Sequence, residues 1–444
     1  MPSSAQAASL WQVWQAARAN DPAFLAASAQ LRAASAAQPS ALAALLPHFA
    51  VAASAGPQTQ YFEGADFYGS GFEPIKQSQR LGVSTWQATL TQTVFDWAQI
   101  KTYQAAGFSV RAAAAAYQAT LERLTVSVIS DYVAVLRARD DLASLRAAAR
   151  GFGAQYHDAA ARYRAGLDGV IGADEARAAY ESIAAQVVQA QARLIAARET
   201  LASLTGNPAI TAEGGLPRAL RLPAPGAVGV WVDRAQAGNP TLAAARLATR
   251  DDTELVAAAQ ASYLPNVSLQ LQHTHAAQGG RAGYAFFGNG ITGPGYALQQ
   301  GNSVTVQLNW KVFSGGATRA AADQARAVRE EAAAKAARAR LTVIRTVRTD
   351  YFAVVLDRAR LAAARSAATI AARAVRSAAH GVRAGLISES DLIADRQELL
   401  AAQMALHAAV VAAIGHEIGL AQAAGSATPR LVRQVSDIIG KLGK

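Results

Sequence analysis

From Val304 to Val312 the chain alternates strictly: Val304, Val306, Leu308, Trp310 and Val312 are apolar, while Thr305, Gln307, Asn309 and Lys311 are polar. A period of two predicts a β-strand with one apolar and one polar face. Val267, Leu269 and Leu271 against Ser268, Gln270 and Gln272 predict its hairpin partner. Earlier, Trp86, Ala88, Leu90 and Val94 oppose Gln87, Thr89, Thr91 and Thr93, and a weaker strand runs from Phe49 to about Gln60. Strands of about 10 residues suit a bilayer crossing, with Trp86, Leu90, Val306, Leu308 and Trp310 facing lipid. The stretches between them, Tyr61 to Ser78 and His275 to Asn302, are rich in glycine and aromatics and poor in charge, and they predict long exterior loops.

Elsewhere the chain reads as helix. Leu10 to Leu45 and Val230 to Tyr263 each contain an Asx residue before proline, in Asn20-Asp21-Pro22 and Gly238-Asn239-Pro240, which can cap a fresh helix start. Each stretch ends at Leu-Pro. After the strands come two rods, from about Trp97 to Ala149 and from about Ala317 to Ala379, without proline and with hardly a glycine. At ~1.5 Å per residue each spans about 80 to 95 Å. Tyr117, Leu121, Leu124, Val128, Val135 and Leu142, and likewise Leu341, Ile344, Tyr351 and Val354, follow coiled-coil spacings. Each rod reaches a turn, at Gly166 and Gly385, and a second helix of about 35 to 40 residues returns.

The two halves are copies. Asp21-Pro22 returns as Asn239-Pro240, Leu46-Pro47 as Leu264-Pro265, Val94-Phe95 as Val312-Phe313, Asp131-Tyr132 as Asp350-Tyr351, and Arg164-Ala165-Gly166-Leu167 as Arg383-Ala384-Gly385-Leu386. The offset stays at about 218 residues, which marks an internal duplication. We divide the chain into a first repeat, 1–204, with a β-hairpin at 48–95; a Pro/Gly-rich connector, 205–229; a second repeat, 230–424, with a β-hairpin at 266–313; and a C-terminal tail, 425–444. Four strands per chain cannot close a barrel, and an open edge in lipid leaves unpaired backbone groups costing several kcal/mol each, so several chains must pool their hairpins.

Composition removes most other chemistry. With no cysteine among 444 residues, disulfides, thiolate catalysis and zinc–cysteine sites are excluded, and a lipoprotein anchor near Met1 is not expected. Ala5-Gln6-Ala7 resembles the end of a removed secretory signal. The net charge of +11 invites a polyanion partner. However, the arginines are spaced singly along the helices with acids between them, as on solvated faces, so nucleic acid is not expected. His273 and His275 share one strand face but lack an acidic cluster, His416-Glu417 lacks a second zincin histidine, and the glycines form no nucleotide fingerprint. No enzyme, cofactor or metal is expected.

The order helix, strand, loop, strand, very long helical hairpin, repeated twice, resembles the TolC-like outer-membrane efflux family over essentially the whole chain. The specific marks are Leu10-Trp-Gln-Val-Trp-Gln-Ala-Ala17 with Asn20-Asp21-Pro22, the two Leu-Pro junctions, and the turns Tyr163-Arg-Ala-Gly166, followed by Ala176-Arg177-Ala-Ala-Tyr180-Glu181, and Val382-Arg-Ala-Gly385, followed by Asp391. The resemblance implies an α+β membrane protein and a homotrimer. A twelve-stranded barrel sits in the lipid of the Gram-negative outer membrane, a long α-helical coiled-coil barrel forms a periplasmic tunnel, and the connector and tail form an equatorial collar. It further implies docking to a periplasmic adaptor and to an inner-membrane ABC transporter or proton-driven pump, with the channel as a passive duct. The arginine- and alanine-rich character points within the family to type I secretion of a protein toxin, as in an adenylate-cyclase toxin exporter. The alternatives are a multidrug efflux duct and, from another class, a soluble cationic coiled-coil scaffold.

The resemblance also places a gate at the second hairpin turn, with Asp391 at its first acidic position. The second acidic position is occupied by Ala394, with Asp395 beside it; Gly172 stands where the first half would carry an acid, and Ile387 where the second would carry a base. Closure is then expected from Tyr163, Asp168, Arg383 and Glu389 beside the turn residues Gly166 and Gly385.

Overall fold

The computed structural model describes residues 6–68, 71–167, 169–217, 226–286, 289–384 and 386–440. After strand β1 (Gln6–Ala8), the first repeat runs α1 (Leu10–Asn20), α2 (Pro22–Ala43), β2 (His48–Tyr68), β3 (Gly71–Phe95), α3 (Trp97–Arg164) and α4 (Val170–Thr205). Strand β4 (Ile210–Ala212) precedes the second repeat: α5 (Val228–Gly238), α6 (Pro240–Ala261), β5 (Asn266–Phe286), β6 (Asn289–Asn309), α7 (Ala317–Arg383) and α8 (Glu389–Ala423), with α9 (Pro429–Gly440) last. Two compact units form, each drawn from both repeats: Met1–Ala33 with Arg111–Ala248 and Ala333–Lys444, and Ala34–Val110 with Thr249–Ala332.

The second unit holds one antiparallel sheet in the order β2-β3-β5-β6. Its strands run 21 to 25 residues, about twice the expected length. The stretches expected as loops are therefore mostly ladder: Gln60 pairs with Gln79, Tyr61 with Ser78, and Ala276 with Gln299. Once a register is set, the backbone ladder propagates whatever the side chains are. Glycine at face positions had hidden the alternation. At Gly280 a Cβ would collide with the Arg80 carbonyl oxygen, so the strands approach too closely there for any other residue.

Register sorts the side chains into two faces. Phe49, Leu90, Leu271 and Val304 form one rung, continued by Leu269 beside Val306 and Val267 beside Leu308. The opposite face carries Thr89, Gln272 and Ser303, then Thr91, Gln270 and Thr305. Val304, Val306 and Leu308 are all more than 60% exposed within the chain, an apolar surface that lipid would cover. Trp86 lies on this face as expected. Trp310 lies one residue past the strand: β6 ends at Asn309, and the Trp310 indole nitrogen donates to the Tyr263 carbonyl at 3.1 Å while the ring stays 58% exposed.

In the helical unit the duplication reappears as matched hardware. The Leu10–Leu45 and Val230–Tyr263 stretches each break where expected. Asp21 Oδ1 accepts from Phe24 N at 2.6 Å, and Asn239 Oδ1 from Leu242 N at 3.0 Å, each capping the second helix of its pair. The paired Asp-Tyr motifs act as tethers. Tyr132 donates to Glu213 O at 2.7 Å and holds the β1–β4 strap against α3, while Tyr351 donates to Gly226 O at 2.6 Å. The first coiled-coil seam packs as expected, with Leu124, Val128, Val135 and Leu142 buried. The second shifts in part: Val354 is buried as expected, but Leu341 is 66% exposed, and Val343, Val347 and Leu361 are buried.

Among the described residues one helix, α8, is long and apolar enough to cross a membrane by composition alone. Its Leu400, Val410, Ala413 and Ile414 nevertheless lie in the helical core with Val128, Ile129 and Leu136. Glu122 is also buried, and desolvation pushes its carboxyl up to about 7.

Two outcomes follow. Val306→Lys should cost insertion of the sheet roughly 2 to 4 kcal/mol, whereas Thr305→Lys on the polar face should be tolerated; heat-resistant assembly in outer-membrane extracts reads both. For Glu122, the folded carboxyl holds its proton more tightly than the unfolded one, so its contribution is intact below the ordinary 4.5 and lost as pH rises through about 7. Glu122→Gln should leave the melting temperature at pH 4 unchanged and stabilise the protein at pH 8 by about 3 kcal/mol.

Candidate functional site

The two helical hairpins of the first unit turn differently. α3 ends in a left-handed Gly166 (φ 73°), with Leu167 N donating back to Arg162 O at 2.9 Å. This is a 6→1 closure that satisfies a terminal carbonyl. The second turn repeats that bond from Leu386 N to Gly381 O, also at 2.9 Å. The returning helices then diverge. Gly169 caps α4 with no side-chain bond, while Ser388 opens α8 with a full capping box. Asp391 N donates to Ser388 Oγ at 3.2 Å, and Asp391 Oδ2 accepts from Ser388 N at 3.1 Å and Ser388 Oγ at 2.6 Å. These bonds hold the exposed Asp391 carboxyl below the usual carboxylate range.

The expected gate residues thus separate. Asp391 is tied up within its own helix start. Arg383 Nε donates to Ala379 O at 3.0 Å, again within its own helix. Tyr163 is nearly half exposed, and Ile387 packs over Gly381. Asp395 is partly buried on the next turn of α8. Asp168 and Gly385 lie outside the described residues.

Among the described gate residues, Glu389 reaches across to α3. Its Oε2 accepts from Gln155 Nε2 at 2.8 Å, its carbonyl accepts from the same nitrogen at 3.1 Å, and Arg162 stands 3.4 Å from Oε1. Two turns along α8, Arg396 Nη1 donates to the Gly151 carbonyl and, at 3.1 Å, to Gln155 Oε1. Burial lowers the Arg396 pKa, and nearby Glu389 partly restores it. Gln155 is only 4% exposed, so both ends of its amide are occupied at the α3–α8 contact. Sequence reasoning missed Gln155, Arg162 and Arg396.

A local signal was available. Gly151-Phe152-Gly153 interrupts an alanine-rich helix, where glycine costs about 1 kcal/mol against alanine. Both glycines admit a neighbour: a Cβ at 151 would meet the Arg396 guanidinium at 3.4 Å, and one at 153 the Tyr180 ring at 3.2 Å, while Phe152 is buried. α3, α4 and α8 therefore lock together within one turn of α3.

The family model described as outer membrane efflux protein matches residues 13–207 and 231–426, one match per repeat. The chain belongs to this family: it is an outer-membrane protein of the Gram-negative envelope with the fold of the family's channel-tunnels. It is 27% identical to the outer membrane protein TolC of Vibrio cholerae over 61% of this chain and 58% of that one. It is also 27% identical to the alkaline protease secretion protein AprF of Pseudomonas aeruginosa, over 69% of this chain and 61% of that one. The matches thus span less than two thirds of these relatives. The fold coincides with the Campylobacter jejuni CmeC outer membrane channel at a TM-score of 0.77 and 17% identity, covering 97% of this chain and 89% of that one.

Arg396→Ala should destabilise the helical unit by about 1 to 3 kcal/mol in urea unfolding, since it leaves the Gly151 carbonyl and the Gln155 amide short of a donor. Arg162→Gln, at a solvent-screened pair, should cost no more than about 1 kcal/mol. Equal costs would contradict the division of labour within this contact.

Proposed function

We propose that the chain is the outer-membrane exit duct of a tripartite export system. The carrying observation is the sheet, apolar on one face, polar on the other and open at both edges, which only further copies of itself can close in lipid. Three copies pool twelve strands, the polar face with Gln272, Ser303 and Thr305 lines a water-filled bore, and the long helical hairpins form the periplasmic tunnel. The duct is passive. A periplasmic adaptor and an inner-membrane ABC transporter or proton-driven pump supply the energy. For cargo we favour an exported protein over small molecules, supported by the likeness to a protease secretion protein.

The α3–α8 contact is the closing device in this reading. Glu389, Gln155, Arg162 and Arg396 hold the second hairpin against the first, and opening breaks these bonds. Three copies of Asp391 then ring the mouth as exposed carboxylates that favour cations.

In a planar bilayer, purified protein should open as a trimer that conducts cations over anions. Glu389→Gln combined with Arg162→Gln should raise the conductance several-fold without loss of assembly, and Asp391→Ala should weaken cation selectivity, with Asp395→Ala testing the neighbouring carboxylate. A monodisperse protein that stays soluble without detergent would sink the duct. An unchanged conductance in the double variant would remove the closing role from this contact.

A further inference from the structure

Within the helical unit, α5, α7, α8 and α9 surround a cavity of about 410 Å³. Each helix contributes an apolar wall: Trp231, Val354, Leu420 and Leu431 in turn. Val354 and Leu420 are both 3% exposed and share a hydrophobic cluster with Val343 and Val347. Packed interiors hold few voids larger than a water molecule, and this one has the size and lining of a small-molecule pocket.

The lining includes one acid, Glu417, which stands three residues before Leu420 on the same face of α8. Among the described residues nothing hydrogen-bonds or ion-pairs with its carboxyl. Ser426, also in the lining, turns its hydroxyl away and donates to the Ala421 carbonyl at 2.9 Å. Burial alone pushes the Glu417 carboxyl up from its ordinary range, so Arg430, exposed at the rim, does not neutralise it. Holding a half-buried carboxylate without a partner is costly. The duplication did not impose it. Val354 and Leu420 repeat the buried Val135 and Leu201 of the first half, whereas Glu417 repeats Arg198, which is exposed.

Trp231 supplies the other half of the site. The Arg234 guanidinium rests over its ring at 5.0 Å from the centroid, so the indole serves as a platform for positive charge. An aromatic wall, aliphatic neighbours and an uncompensated carboxylate together select a ligand with an apolar body and a protonated amine. The amine meets the carboxylate in a charge-assisted hydrogen bond, and the body displaces water from the walls.

We propose that this cavity binds a small lipophilic organic cation, with its ammonium on Glu417 and its apolar body against Trp231, Val354 and Leu431. The site lies wholly in the helical unit, and its test does not depend on the duct reading.

Naphthylmethylamine is titrated by calorimetry into the full-length protein in non-ionic detergent, beside naphthylmethanol and naphthoate as uncharged and anionic analogues. Wild type should bind a single amine per chain at least about tenfold more tightly than the alcohol. Glu417→Gln should bring the amine down to the affinity of the alcohol, and Arg430→Gln should bind the amine at least as tightly as wild type. The amine-to-alcohol comparison uses wild type alone and stands even where a variant folds poorly. Equal affinity for amine and alcohol, or an unchanged amine affinity in Glu417→Gln, would overturn the site. Tighter binding of naphthoate, lost in Arg430→Gln, would assign the cavity to acids and overturn it equally.

Discussion

Every N–H and C=O on the free edges of β2 and β6 needs a partner, and in hydrocarbon no water supplies one. That requirement governs the rest of the molecule. Edge strands of 21 residues, with aliphatic rungs facing outward, would be an aggregation template in a soluble protein. In a membrane protein they are an instruction to assemble. The polar second face fits the same closure, because a sheet curled on itself must have an inside, and Thr305 and Gln272 sit on the polar face that would form it.

Duplication lets one solution be used twice. Asp21 and Asn239 cap with the same geometry, and Tyr132 and Tyr351 each reach from a long helix to a connector carbonyl. The copies have drifted where their surroundings differ. Tyr132 is buried against a strap made of β1 and β4, and burial drives its hydroxyl pKa up to about 12, so it remains a donor at any physiological pH. Tyr351 serves a more open connector.

The sequence made the fold legible wherever bulky aliphatic residues marked a period. Val304, Val306 and Leu308 announce a strand, and Leu124, Val128 and Val135 a seam. It was silent where small residues took those positions. The upper halves of the strands carry Gly82, Gly279, Gly293 and Gly295, which pair by backbone alone and leave no alternation to read. In α7, Val343 and Val347 cannot be told from Leu341 and Ile344 in a helix filled with alanine and arginine, because only the packed partner decides which face turns inward. The α3–α8 contact was the least visible. Gln155 and Glu389 meet across more than half the chain, and nothing local distinguishes them from other polar residues on a helix. Asp391 drew attention by its place after a turn glycine, yet that place is also the third helical position of a capping box, and local backbone bonding claimed it.

The unequal starts of the two returning helices set an order of events. α8 begins behind a reciprocal serine–aspartate cap, and Glu389 and Arg396 bind its first turns to α3. α4 begins behind Gly169, which supplies no side-chain cap. Fraying of the first turn of α4 therefore breaks no capping bond, and the Ser390–Glu175 bond lies a turn further in, whereas fraying of α8 must break the Ser388–Asp391 cap and the Glu389 bonds to α3. Amide hydrogens at the start of α4 exchange with solvent ahead of those at the start of α8, and a protease probing the folded chain enters near Gly169 before it can cut beyond Ser388.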